Sequence, residues 1–101
     1  MAVICTGEGR VLTVNVTGEV DHHHARTIMT EMEQAVGAAL PRQLILDLSG
    51  VTFMDSSGIA VVMRARQRMR ELGGCIVLRN AGPQPRKVLE AAGLDRFVTL
   101  E

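Results

Sequence analysis

The stretch Phe53-Met54-Asp55-Ser56-Ser57-Gly58-Ile59-Ala60 decides how this chain is read. It follows Leu44-Ile45-Leu46-Asp47-Leu48, a short apolar run that suits a buried strand, and it precedes Val61 to Leu72, which is predicted to be helical. Three small polar residues and a glycine therefore stand where a strand hands over to a helix. The first N–H groups of a helix have no intrahelical partner, and the macrodipole places partial positive charge there. A serine at that point is exposed, fixed in direction and tolerant of a phosphate. The local pattern leaves three readings open: a helix cap, a catalytic nucleophile and a regulatory acceptor.

The flanks extend the same alternation of strand and helix. Upstream, Ala2 to Cys5 is β-prone, Gly7-Glu8-Gly9-Arg10 reads as a turn, and Val11 to Val16 is a second strand, so the chain opens with a hairpin. Asp21 is a good N-cap for a helix from His22 to Leu40, whose apolar stripe is Ala25, Ile28, Met32, Ala35 or Val36, and Ala39. Gly37 weakens or ends its last turn, and Pro41 prevents continuation. The run Leu44 to Leu48, apolar on both sides except at Asp47, suits a central strand covered on two faces. Downstream, the helix after the motif buries Val62, Ala65, Met69 and Leu72, with Ile59 and Met63 at the edge of that stripe or beyond it. Gly73-Gly74 ends it. Cys75 to Leu78 is a strand, Asn80 to Pro83 a loop, Pro85 to Ala92 a short helix and Phe97 to Leu100 a last strand. The order is β-β-α-β-α-β-α-β, an α/β fold with a mixed, mostly parallel sheet and helices packed on it. Residues 1–101 are expected to form one domain.

Composition narrows the function. The 101 residues carry 11 basic and 11 acidic side chains, so no basic surplus calls for nucleic acid or an anionic membrane. Phe53 and Phe97 are the only aromatics, too few for a base-stacking platform. Cys5 and Cys75 each lie in an apolar run and read as buried thiols rather than a disulfide framework. No stretch resembles a signal peptide or a membrane span, so a soluble cytoplasmic protein is expected.

The chemistry-bearing residues divide unevenly. A nucleophilic serine needs a base, and the only histidines are His22, His23 and His24; G-x-S-x-G and the phosphate-loop pattern are both absent. Three consecutive helical positions point about 100° apart, so the histidines are not expected to converge on a metal. No cofactor or metal site is predicted. Arg64, Arg66, Arg68 and Arg70 alternate with period two, which scatters them around a helix and reads as a solvated face. Asp47 is either a functional carboxylate or, more simply, a strand-end group bonded to backbone or a basic neighbour.

At this point a resemblance enters. Phe53-Met54-Asp55-Ser56-Ser57-Gly58-Ile59 after Leu44-Ile45-Leu46-Asp47-Leu48 resembles the signature of STAS domains, most of all the sporulation-type anti-sigma-factor antagonists. Thr17 to His23 resembles that family's segment after its second strand, and Pro85 to Phe97 its third helix and final strand, so the likeness spans nearly the whole chain. It implies a non-enzymatic switch. The unmodified protein binds an anti-sigma factor that is also a serine kinase and so frees the sigma factor; the kinase phosphorylates the second serine of the motif and a phosphatase reverses it. By position the acceptor is Ser57. Asp55 and Ser56 shape the loop and, with Gly58, border the partner, while Asp21, Ile59 and Met63 are candidates for the partner face. An alternative implied by the same family is a scaffold or accessory subunit of a stress-signalling assembly or a lipid transporter. Many members of the family continue past the last strand into another amphipathic helix, where this chain stops at Glu101; the sequence is either a short natural version or one lacking that helix, and in the second case apolar surface near the last strand is expected to be exposed.

Overall fold

A computed structural model describes the backbone of residues 3–8 and residues 10–101 in full. The elements are β1 (Val3–Glu8), β2 (Val11–Val20), α1 (Ala25–Ala39), β3 (Gln43–Met54), α2 (Ser56–Glu71), β4 (Cys75–Arg79), α3 (Pro83–Ala91), a 3-10 turn at Leu94–Arg96 and β5 (Thr99–Leu100). The expected order and the mixed sheet are both present. β1 runs antiparallel to β2, and β2-β3-β4-β5 are parallel neighbours in chain order. The opening hairpin is tighter than predicted, since β1 continues to Glu8 opposite Val11. Ala2, Gly9 and the Cys5 side chain lie outside the described residues.

Parallel strands laid down in order and joined by right-handed crossovers place every helix on the same face. The packing agrees. Ile28 and Met32 of α1, Val62, Ala65 and Met69 of α2 and Leu89 of α3 share one core with Val14, Leu44, Leu46 and Leu78. Each such fully buried Val, Leu, Ile or Met side chain contributes about 1.5–3 kcal/mol of burial free energy. The expectation that β3 is covered on two faces is therefore corrected. Ile45 and Val77, the buried residues of the other face, lie outside that core and shield one another as register neighbours.

Local chemistry moves several boundaries. α1 begins at Ala25, not His22, because residues 22–24 form a tight turn first: Asp21 Oδ1 accepts from the N–H groups of His23 and His24, both at 3.1 Å, and the Asp21 carbonyl accepts from Ala25 N–H at 2.8 Å. Gly37 does not stop the helix, which runs to Ala39 and closes at Leu40 in a left-handed conformation. Ala39 is exposed rather than part of the buried stripe. β3 is twelve residues long, far beyond Leu48, because β2 continues to Val20 beside it through two register shifts. Cys75 opens β4 at the surface and is exposed, which corrects the buried-thiol reading. α3 starts at Pro83, two residues early, and Ala92 is exposed. The last strand is only Thr99–Leu100, since Phe97 ends the 3-10 turn.

Candidate functional site

Strand β3 outruns β4 by seven residues. β4 pairs with it from Gln43 to Asp47, and beyond that point only β2 lies alongside, up to the pair Val20↔Met54. The first residues past this pair, Asp21 and Asp55, leave adjacent strand ends together, and Asp55 N–H donates to the Val20 carbonyl at 3.1 Å. The motif and the segment after β2, 34 residues apart in sequence, thus share one rim of the sheet.

Asp55 is the N-cap of α2: its extended backbone turns the chain, and its Oδ1 accepts the Ser57 N–H at 2.7 Å. The helix therefore starts at Ser56, five residues ahead of the predicted Val61, and Ser56-Ser57-Gly58 are its first turn. The Gly58 N–H donates to the Asp55 carbonyl at 3.0 Å. Of the readings left open by the sequence, the helix cap is present: Asp55 occupies the first-turn N–H donors of Ser57 and Gly58. Ser56 is exposed and Ser57 half-buried. Gly58 is buried because a side chain there has no room: an added Cβ would lie 2.4 Å from Met54 Cγ. Ile59 and Met63 are half-buried against the core on the same helix.

The structure brings Asp21, Asp55, Ser56, Ser57 and Gly58 to one rim, with Ile59 and Met63 running away from it along α2. Asp21 also takes His24 Nδ1 at 2.7 Å. That side-chain hydrogen bond, foremost, holds the Asp21 carboxyl below its ordinary value. The histidines do not radiate from a helix as expected, since they occupy the turn; His22 and His23 place their rings 4.1 Å apart while His24 faces Asp21. Asp47 lies at the opposite, two-sided part of β3. Desolvation raises its pKa, but the Ser49 N–H at 2.9 Å, the Asn80 amide at 3.2 Å and the nearby Arg79 charge outweigh it and leave the carboxyl below its ordinary value. The bonds to backbone and the basic neighbour are as expected, but Asp47 lies within β3, at its last residue paired with β4, rather than at a strand end. The arginines scatter as predicted: Arg64 meets Glu33 at 2.6 Å, Arg68 meets Glu71 at 3.6 Å, and Arg66 lies over the Phe97 ring.

Two residues of the site were not singled out in the sequence. Met54, 2% exposed, packs beneath Gly58. Gln84, in the first turn of α3, accepts the Met54 N–H at 2.8 Å through Oε1 and donates through Nε2 to the Met54 carbonyl at 2.7 Å. No local pattern signals a contact across 30 residues. Phe53, quoted within the motif as Met54 was but likewise given no role, stands 44% exposed beside the rim.

A family model described as the STAS domain matches residues 2–101. The chain belongs to the STAS domain family. Its similarity to individual STAS proteins is consistent with this. The anti-sigma F factor antagonist of Lysinibacillus sphaericus is 31% identical over 87 residues, covering 86% of this chain and 74% of that protein. The structure of the anti-sigma factor antagonist SpoIIAA in its unphosphorylated form matches with a TM-score of 0.83 at 26% identity, over 99% of this chain and 88% of that one. The structure of the Bacillus cell fate determinant SpoIIAA in the phosphorylated form matches with a TM-score of 0.73 at 26% identity, over 99% and 91% respectively. The resemblance seen in the motif thus holds for the STAS fold as a whole.

Proposed function

We propose that residues 1–101 act as one STAS domain that antagonises an anti-sigma factor and is switched off by phosphorylation of Ser57. The unmodified protein binds an anti-sigma factor that is also a serine kinase, through the rim of Asp21, Asp55, Ser56 and Gly58 and the adjoining Ile59 and Met63. The kinase modifies Ser57 and a serine phosphatase restores it. In this reading the protein is a substrate and a binder rather than a catalyst, and it works in the cytoplasm. Among the described residues no helix is long and apolar enough to cross a membrane.

The observation that carries the proposal is the Asp55 cap. It holds Ser57 in the first turn of α2, at a rim built from two strand ends, with its N–H fixed at 2.7 Å from Asp55 Oδ1. The similarity to an anti-sigma F factor antagonist supplies the partner class, and a phosphorylated SpoIIAA supports modification as the switch. The electrostatics point the same way. A phosphate adds about −1.5 to −2 charges at neutral pH. On Ser57 it meets the Asp55 carboxylate, which already holds the local N–H donor, and Asp21 lies at the same rim. A partner that packs here must desolvate all three anions together. A differential of about 3–4 kcal/mol weakens binding a few hundredfold.

Incubation with the cognate kinase and ATP tests the assignment by intact mass. Wild type is expected to gain one phosphate and Ser57→Ala none. Equal labelling of Ser57→Ala, or transfer to Ser56, sinks the choice of Ser57.

A further inference from the structure

We propose that Gln84 is a positioning residue for the Asp55–Ser57 turn: its carboxamide replaces the strand that β3 lacks beyond Asp47. A parallel ladder satisfies alternate residues of a central strand on alternate sides. Asp55 N–H turns to β2, bonding Val20. Met54 N–H and C=O turn the other way, toward where β4 would lie had it not ended at Arg79. There the Gln84 side chain presents an acceptor and a donor at 2.8 and 2.7 Å, the pairing that a neighbouring peptide would make. Both bonds are part-buried, although Gln84 itself lies at the surface.

The brace acts on the site through Met54. This residue is held by β2 on one side and Gln84 on the other, and its side chain supports Gly58 from below. Asp55 follows it directly, so the plane of the Met54–Asp55 peptide sets where the Asp55 carboxylate caps Ser57. Without the carboxamide, Met54 keeps its pairing with β2 but loses the constraint on its far side. The turn then samples orientations in which Ser57 is presented less well, while Ile59 and Met63, farther along α2, stay in place.

Its role in presenting Ser57 rests on the proposed switch, whereas the brace itself does not, and two readouts separate them. Amide hydrogen exchange by NMR compares wild type, Gln84→Met and Gln84→Glu. Gln84→Met removes both bonds, and exchange at Met54, Asp55 and Ser57 is expected to accelerate about tenfold, the scale that two neutral hydrogen bonds sustain. Exchange at Leu46, Leu78 and Met69 stays as in wild type. Unchanged exchange at 54–57, or equal acceleration throughout the sheet, overturns the brace. Gln84→Glu adds a readout that simple packing would not move. Its ionised carboxylate can accept from Met54 N–H but not donate to Met54 O, whereas the protonated acid does both. Its exchange ratio to wild type is therefore expected to return toward one as pH falls through the ordinary glutamate range near ~4.3; a pH-independent ratio counts against the donor role. With the kinase, Gln84→Met is expected to lower kcat several-fold at little change in KM, and wild-type kcat in that variant overturns the presentation of Ser57. Should wild type itself accept no phosphate, the switch fails while the exchange data still decide the brace.

Discussion

Replacing Gly58 with alanine pits two effects against each other, and the structure decides the sign. Gly58 is the third residue of α2, where alanine gains up to about 1 kcal/mol of helix propensity over glycine. The new Cβ, however, would stand 2.4 Å from Met54 Cγ, 2.6 Å from its sulfur and 3.0 Å from Cε. Ordinary carbon contacts lie near ~3.5–4.0 Å, so the thioether must move by about an ångström. It has little freedom to do so. Met54 is buried, and its backbone is held between Val20 and Gln84. Overpacking of this kind costs about 1–3 kcal/mol. The net expectation for Gly58→Ala is a loss of about 1–2 kcal/mol, or roughly 4–16 °C in Tm for a domain of this size. Thermal and urea unfolding followed by circular dichroism measure it. The contact itself is isolated by a double-mutant cycle with Met54→Ala, which alone costs about 2–5 kcal/mol by leaving a cavity. With both changes the alanine methyl occupies vacated space, so the pair is expected to cost at least ~1 kcal/mol less than the sum. Additivity within about 0.5 kcal/mol, or a Gly58→Ala protein that melts higher than wild type, would refute the reasoning.

Asp55→Ala removes the cap of α2 and is expected to destabilise by about 1 kcal/mol in urea titration, with Asp55→Asn recovering most of it. Ser57→Asp is expected to leave the circular dichroism spectrum and melting curve near wild type while weakening binding to the anti-sigma factor by isothermal titration; retained affinity speaks against charge as the switch. The carboxyls of Asp21 and Asp47 are both held below their ordinary values, so they bind fewer protons folded than unfolded in the acid range. Their contribution is full above the unfolded value near ~3.9 and is lost as pH falls through the folded values. Melting temperature measured from pH 7 to pH 3 should therefore fall on the acid side, and Asp47→Asn should flatten part of that fall.

Much of this fold could be read along the chain. The alternation of short apolar runs with helical stripes gives the order of elements and the mostly parallel sheet, and the helix stripes at Ile28, Met32, Val62, Ala65 and Met69 are buried as predicted. The misses share a physical origin in contacts between distant segments. Ser49-Gly50 looks like the end of a strand, but Gly50 pairs with Thr17 and the strand continues. The run Leu44 to Leu48 suggested a strand covered on two faces, whereas on the side away from the core Ile45 has Val77 alongside it rather than a covering layer. Cys75 has apolar neighbours in sequence yet sits at the exposed start of β4. At the site, Asp55, Ser57 and Gly58 were legible because caps and glycines act within one turn. Gln84 was not, because its two bonds depend on where β4 stops.

The unequal lengths of β3 and β4 give this small protein a gradient of local stability. At Leu44–Asp47 the strand is laced on both sides, and opening it means dismantling the centre of the sheet. From Leu48 onward it has one laced side, until Gln84 at the tip. Segments with fewer backbone partners open at lower free energy than the global transition. The tip can therefore be remodelled by a partner or by a new charge without unravelling the root, so a marginally stable domain can change its binding state while its fold persists.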